Sequence, residues 1–179
     1  MRPEAPVSAA AARLHLDAAQ REWQEGKLDE AERELLVAIE LYEGMGLGRD
    51  AMSAAAALGR LQLERGYLTQ GLALLWSAFA YLAANDLDED AAEAHASLMR
   101  AVVIATTAGI REGGEARLES TAALRALQSE AAEAGVVELD ALLGALLSLM
   151  ELGPDQAPAI ALAVPDDYRP VWDALLRRL

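Results

Sequence analysis

The chain has 179 residues and a formal net charge of −14, and 54% of its residues are hydrophobic although only 4% are aromatic. It contains no cysteine and only two histidines, which excludes disulfide scaffolds, cysteine-based metal sites and thiol nucleophiles. The negative charge argues against nucleic acid as a partner, because phosphates are bound by cationic surfaces. We therefore expect one domain, or one short repeat array, with its own hydrophobic core.

Alanine and leucine make up about two-fifths of the sequence, whereas the residues that strands prefer are scarce. Glycine and proline divide this helix-forming chain into segments of ordinary helical length. These patterns predict an all-α protein. In chain order, the predicted helices cover 8–25, 28–43, 50–65, 69–85, 88–109, 115–135 and 137–152, followed by one or two short helices in 155–179, the last at about 169–179.

Several residues recur after forty positions. Gly26 is followed by Gly66 at this distance, and Ala38 by Ala78. A repeat of this length is typical of helix pairs that cannot bury their apolar faces alone and therefore stack on one another. The spacing predicts a solenoid of helix pairs.

Two segments, 18–31 and 58–71, resemble the tetratricopeptide repeat. Both carry the small residues and the turn glycine of that motif, but lack its large residue near the start of the first helix and its closing proline. The long period is similar to that of kinesin light chains and bacterial peptide-sensing regulators. The resemblance implies a right-handed α-solenoid of antiparallel helix hairpins with a C-terminal capping helix, in one structural unit. Its parts would be the pairs 8–43, 50–85 and 88–135, the last degenerate because Thr106 replaces the turn glycine, and the cap 136–179.

In tetratricopeptide proteins, the first helix of each pair lines a concave groove that binds a partner. Carried over residue by residue, the resemblance implies a protein or peptide partner. We expect Arg60 and Arg100 to hold an acidic side chain or a chain terminus through paired hydrogen bonds. The alternative is that these arginines pair with neighbouring acids such as Glu64 and Glu93. The implied groove residues are Arg13, Gln20, Trp23, Gln24, Arg60, Glu64 and Arg100.

The fourth predicted helix is apolar on nearly every side, including the stripe that holds Leu72, Trp76 and Ala80. A helix of this kind is normally buried all round, and an exposed surface of this size is rare on a monomer. Two explanations remain open. Either the C-terminal tail folds over the helix, or a second subunit covers it in a homodimer.

The last helix carries Trp172 and Leu175 on an apolar side. We interpret it as the cap that hides the final apolar face of the array, and a docking helix for a partner is the alternative. His15 and His95 are two repeat lengths apart and are expected to be partly buried structural side chains. The run 85–90 begins like a calcium loop but lacks the required glycine and closing acid. We therefore expect no metal, no cofactor and no catalytic residue.

The N-terminal residues make a poor signal peptide because they are weakly apolar and contain an early acid. The longest apolar run, 141–150, has about half the length of a membrane-spanning helix. We expect a cytoplasmic protein with no membrane partner. Its expected function is that of a noncatalytic protein–protein interaction module, and the alternatives are a ligand- or peptide-sensing regulatory subunit and an enzyme with an unfamiliar all-α site.

Overall fold

The computed structural model describes residues 9–179, and every regular element in this range is helical. The prediction of an all-α fold made of consecutively packed helices is confirmed. Single 3-10 turns lie at Pro154–Gln156, Ala161–Ala163 and Asp166–Tyr168. The α-helices are α1 (Ala9–Gln24), α2 (Leu28–Gly44), α3 (Gly48–Glu64), α4 (Leu68–Ala84), α5 (Asp88–Glu112), α6 (Gly114–Glu133), α7 (Val137–Leu152), α8 (Ala157–Ile160) and α9 (Arg169–Leu176).

The helices from α2 to α5 begin at regular intervals. Their first residues are Leu28, Gly48, Leu68 and Asp88, so each of α2, α3 and α4 with its connecting turn occupies 20 residues. This interval is half of the forty-residue period that the sequence shows. The structural unit of the repeat is therefore one helix and one turn, and two such units form a hairpin.

One type of turn closes these helices. At the end of α1, the backbone N–H of Gly26 donates to the carbonyl of Trp23 at 2.9 Å, and that of Lys27 donates to Glu22 at 2.8 Å. This pair of bonds is the Schellman motif, which needs a left-handed residue at its centre and therefore favours glycine. The same two bonds recur with Gly46, Gly66, Asp86 and Gly135 at the centre.

Asp86 stands where the other turns have glycine. Its φ is +56°, and it is the sole non-glycine residue with positive φ in the range 9–179. Aspartate tolerates this conformation better than most residues because its short side chain can bond locally. The 20-residue series of turns at Gly26, Gly46 and Gly66 therefore continues for one more unit at Asp86.

The chain forms two compact units that divide between Ala96 and Ser97, within α5. The first unit contains the hairpins α1/α2 and α3/α4. In the second hairpin, Gly48 lies against Tyr81, while Gly59 lies against Gly71. Residue numbers rise along α3 as they fall along α4, so the two helices are antiparallel. The predicted grouping into helix pairs at 8–135 and a cap at 136–179 stays a prediction.

The first helices of successive hairpins lie side by side. Trp23 of α1 donates a hydrogen bond to Glu64 of α3, 41 positions later. Arg49 of α3 donates to Asp90 at the start of α5, again 41 positions later. The equal offsets show that α3 relates to α1 as the start of α5 relates to α3. This relation is that of a helical repeat array.

Two predicted helix boundaries are corrected by the structure. The third helix starts at Gly48 and not at Asp50, and the absence of a side chain at Gly48 leaves room for the Tyr81 hydroxyl. The fifth helix does not stop at Gly109 but continues to Glu112. A Cβ at Gly109 would lie 2.6 Å from Met150 Cε, so this glycine permits close packing instead of ending the helix. The predicted cap at Ser8 lies outside the described residues.

The second unit is built around α7, whose leucines are buried on several sides. Gly109 of α5 meets Ser120 of α6 and Met150 of α7, so three helices converge at this point. Helix α9 docks through Trp172, which is 1% exposed, and Leu175, which is fully buried. The fully buried α7 side chains are Leu139, Leu142, Leu143, Leu146 and Leu149.

Candidate functional site

A cavity of about 660 Å³ lies in the first compact unit, along the neighbouring helices α1 and α3. We call it the groove cavity. Its space arises largely from short side chains, because alanine on both helices leaves room that a larger residue would fill. Leu35 of α2 contributes from the second helix of the hairpin. The apolar lining consists of Leu16, Ala19, Leu35, Ala54 and Ala57.

The remaining lining residues bring hydrogen-bonding groups to the groove cavity. The indole N–H of Trp23 donates to the Glu64 carboxylate at 2.6 Å and so links α1 to α3. Trp23 also packs against the buried cluster that contains Ala19 and Leu35, while its side chain stays partly exposed. The lining residues with polar groups are Gln20, Trp23, Gln24, Ser53, Arg60 and Glu64.

A second, smaller cavity of about 140 Å³ lies between α3 and the start of α5. We call it the acidic cavity because Asp90 and Glu93 line it. It shares Ser53 and Arg60 with the groove cavity. The two cavities are therefore adjacent, and Arg60 stands at their common boundary.

The charges around the acidic cavity are only partly compensated. Arg60 Nη1 lies 3.8 Å from Glu93 Oε1, and the Glu93 side chain remains 75% exposed. Asp90 accepts a hydrogen bond from Arg49, which raises the pKa of that guanidinium. An ion pair as long and as open to water as Arg60–Glu93 stabilises the fold little. Both of its members are therefore available to an incoming group.

Five of the seven predicted groove residues line the groove cavity: Gln20, Trp23, Gln24, Arg60 and Glu64. Arg13 is exposed on α1 and does not belong to the lining. Arg100 lies in the second compact unit, where its guanidinium donates to Ser97 Oγ at 2.9 Å. The sequence left open whether Arg60 holds a partner's acid or pairs with an acid of this chain. In the structure, Arg60 pairs with Glu93.

The sequence reasoning missed Leu35 and Asp90 as lining residues. Leu35 belongs to a second helix, which the family pattern places outside the groove, and Asp90 falls in the run 85–90, where the sequence was compared only with a calcium loop. The signal for Leu35 was the shortness of Ala19 and Ala57, since small residues on the first helices let a second-helix side chain reach the cavity. No sequence signal marked Asp90, since its counterpart one repeat earlier, Asp50, lines neither cavity.

The residues predicted for self-association are largely buried within the chain. Leu72 is 1% exposed and Trp76 is 5% exposed, while Ala80 is partly buried. The Trp76 ring lies 5.8 Å from that of Phe79, and Phe79 lies 5.1 Å from His95. A contact between two copies through Leu72 and Trp76 would first require this helix face to open, and a homodimer stays a prediction.

Both histidines are partly buried, as predicted. His15 Nδ1 lies 2.5 Å from a carboxylate oxygen of Glu34, which links α1 to α2. Burial lowers the pKa of His95. Within residues 9–179, no three histidine or acidic side chains are grouped as metal ligands would be.

Two further findings bear on function. In the described range, no helix combines the length and the apolar character that a membrane crossing requires. No protein-family model, no curated protein and no solved structure matches the chain.

Proposed function

We propose that the chain is a noncatalytic protein–protein interaction module that binds a peptide or helix of another protein in the groove cavity. The observation that carries this proposal is the convergence of Trp23, Gln24 and Arg60 around an apolar floor. Tryptophan and arginine are the residues that contribute most to binding at protein interfaces. An apolar side chain of the partner, its anchor, would fill the apolar part of the lining, which we call the floor. The polar lining residues, which we call the rim, would hold the partner's polar groups.

The two glutamines suit the main chain of a partner. Gln20 and Gln24 are one helical turn apart on α1, and both are exposed. An amide side chain both donates and accepts hydrogen bonds. Because successive amides of an extended peptide offer the complementary groups, the pair would fix the partner's direction without demanding one side chain.

Membership of the tetratricopeptide class is part of the same proposal. It is supported by the recurrent Schellman turn and by the 20-residue interval between helix starts. The lining of the groove cavity by first helices also fits that class, although Leu35 departs from it. The right-handed sense of the stacking and the cytoplasmic location stay predictions.

A second candidate function is that of a regulatory subunit that senses a small ligand or a peptide. The volume of the groove cavity favours it, because about 660 Å³ lies within the usual range of small-molecule sites, roughly 300–1,000 Å³. A small ligand would occupy the floor and leave Gln24 and Arg60 free. The two candidates therefore differ in whether the rim is engaged.

Site-specific photocrosslinking tests the proposal. A photoreactive residue at Gln24, on the rim, should crosslink a protein partner in cells that express the chain. The matched control is the same residue at Gln70, which is also an exposed glutamine but lies on α4, outside both cavities. We expect a crosslinked protein from position 24 that is absent from position 70 and is lost with Trp23→Ala, which removes the aromatic lining residue without changing the charge. Equal products from both positions, or none from either, would overturn the proposal.

A further inference from the structure

We infer that the partner carries a basic side chain next to its apolar anchor, so that the anchor enters the groove cavity and the cation enters the acidic cavity. This inference rests on the proposed function and names the chemical class of the partner. The expected occupant is a cationic peptide segment, because carboxylates predominate along the two cavities.

The continuity of the cavities sets the spacing of the two side chains. Ser53 and Arg60 belong to both linings, so the two cavities adjoin at these residues. A side chain in each cavity would come from neighbouring positions of one bound segment. The acidic cavity is the smaller, about 140 Å³, which suits the end of one long side chain.

The charges at the cavities favour a cation. The two linings together contain the carboxylates of Glu64, Asp90 and Glu93 but one guanidinium, that of Arg60. Glu64 accepts from the neutral indole of Trp23, which leaves its charge uncompensated. Even with Arg49 beside Asp90, carboxylates outnumber guanidinium groups.

The net charge of the first compact unit also favours a cationic partner. Residues 9–96 contain 7 Lys and Arg against 16 Asp and Glu, so this half of the chain holds −9 of the total −14. Such a field raises the rate at which a cationic segment meets the groove and repels an anionic one. An acidic partner could pair with Arg60 only by displacing Glu93 and approaching the remaining carboxylates.

Arg60 would change partners on binding. Its contact with Glu93 is 3.8 Å long and partly exposed, so an incoming lysine or arginine can replace it at that carboxylate. The released guanidinium lies at the rim of the groove cavity, where it can donate to a main-chain carbonyl of the bound segment. Arg60 is therefore a positioning group in the complex and not the recognition element for an acid.

Selection from a random displayed-peptide library against the intact chain tests the inference without assuming a sequence. We expect the selected peptides to carry lysine or arginine beside a bulky apolar residue. Enrichment of aspartate or glutamate beside that residue, or of no charge, would overturn the inference and leave the proposed function standing. If no peptide is enriched over an unrelated surface, both fail.

A charge-reversal pair locates the contact. Glu93→Lys reverses a charge in the acidic cavity, and its side chain is exposed enough for the fold to tolerate the change. Glu119→Lys makes the same change on an exposed position of α6, in the second unit. We expect Glu93→Lys to weaken the selected peptide at least about tenfold and Glu119→Lys to weaken it much less. Equal weakening by both variants would reduce the effect to net charge and overturn the acidic cavity as the site.

Discussion

The hairpins α1/α2 and α3/α4 share their register and their turn chemistry but differ where their helices cross. The first hairpin has Ala19 and Ala31 at the crossing, and both are buried. The second has Gly59 and Gly71, where a Cβ on Gly71 would lie 2.6 Å from Leu63 Cγ and 2.9 Å from the Gly59 carbonyl. The backbone repeat therefore fixes which positions face each other, and the size of the residue there sets how closely the helices approach.

The two hairpins also differ on the sides that face away from the crossing. Arg21 of α1 is exposed, whereas Leu61, at the same register in α3, is fully buried. Leu36 of α2 is 49% exposed, whereas Trp76, its counterpart in α4, is 5% exposed. The first hairpin thus presents polar or open positions where the second packs against neighbours, as expected when one repeat is covered and the other is not.

The largest effects should come from truncating the leucines that occupy the same repeat position. Leu75→Ala should lower the free energy of unfolding by about 3–5 kcal/mol, and Leu35→Ala by about 2–3 kcal/mol. Leu75 is fully buried beside Gly59, whereas Leu35 borders the groove cavity, and a side chain loses its dispersion contacts on the side where it faces a cavity. Urea denaturation measures both values. A larger cost at Leu35 would contradict the groove cavity.

Exchanging the crossing residues tests the difference in helix approach. Gly71→Ala should cost about 1–3 kcal/mol because the added methyl group forces the packed helices apart. Ala31→Gly should cost about 1 kcal/mol, mainly through lost helix propensity. Thermal unfolding of the two variants compares them. If Gly71→Ala stabilises the chain, as it would in an unobstructed helix, the close approach in α3/α4 is wrong.

The turns offer a smaller test. Asp86→Gly should stabilise the chain by up to about 1 kcal/mol because glycine adopts positive φ without strain. Gly46→Asp places the same side chain in the corresponding turn between the hairpins and should destabilise by a similar amount. The melting temperature should therefore rise for Asp86→Gly and fall for Gly46→Asp. Two changes of the same sign would show that the turns are not equivalent.

The smallest effect concerns pH. Because burial lowers the pKa of His95 in the folded chain, the unfolded chain binds the proton more readily. Stability should therefore fall as the pH drops below the unfolded histidine pKa of about 6.5. His95→Gln should flatten this part of the curve of unfolding free energy against pH. An unchanged slope would remove His95 as a contributor.

The helix positions were largely predictable because glycine in a left-handed turn has few substitutes. The same residue type misled at Gly109, since a glycine that permits close packing and a glycine that ends a helix look alike in sequence. Only the neighbours, Met150 and Ser120, distinguish the two. Asp86 was missed as a turn centre for the converse reason, because it does what glycine does elsewhere.

The sequence predicted which residues of the first helices line the candidate site, but it did not predict the volume of the cavity or its lining by a second helix. The register of the repeat placed Gln20, Trp23 and Arg60 on one side, because a fixed period fixes direction. That Leu35 of α2 also lines the cavity depends on how the three helices pack, which a repeat period does not specify. For the same reason, the apolar character of the fourth helix could not decide between intramolecular burial and a second subunit.

The central claim is that a partner binds between α1 and α3. The chain has three tryptophans, and their indole N–H signals can be followed separately by nitrogen-15 NMR. Trp23 lines the groove cavity, whereas Trp76 and Trp172 are 5% and 1% exposed. Titration with a selected peptide should shift the Trp23 signal until saturation and leave the other two in place. Saturating binding that moves Trp76 or Trp172 while Trp23 stays unchanged would contradict the claim.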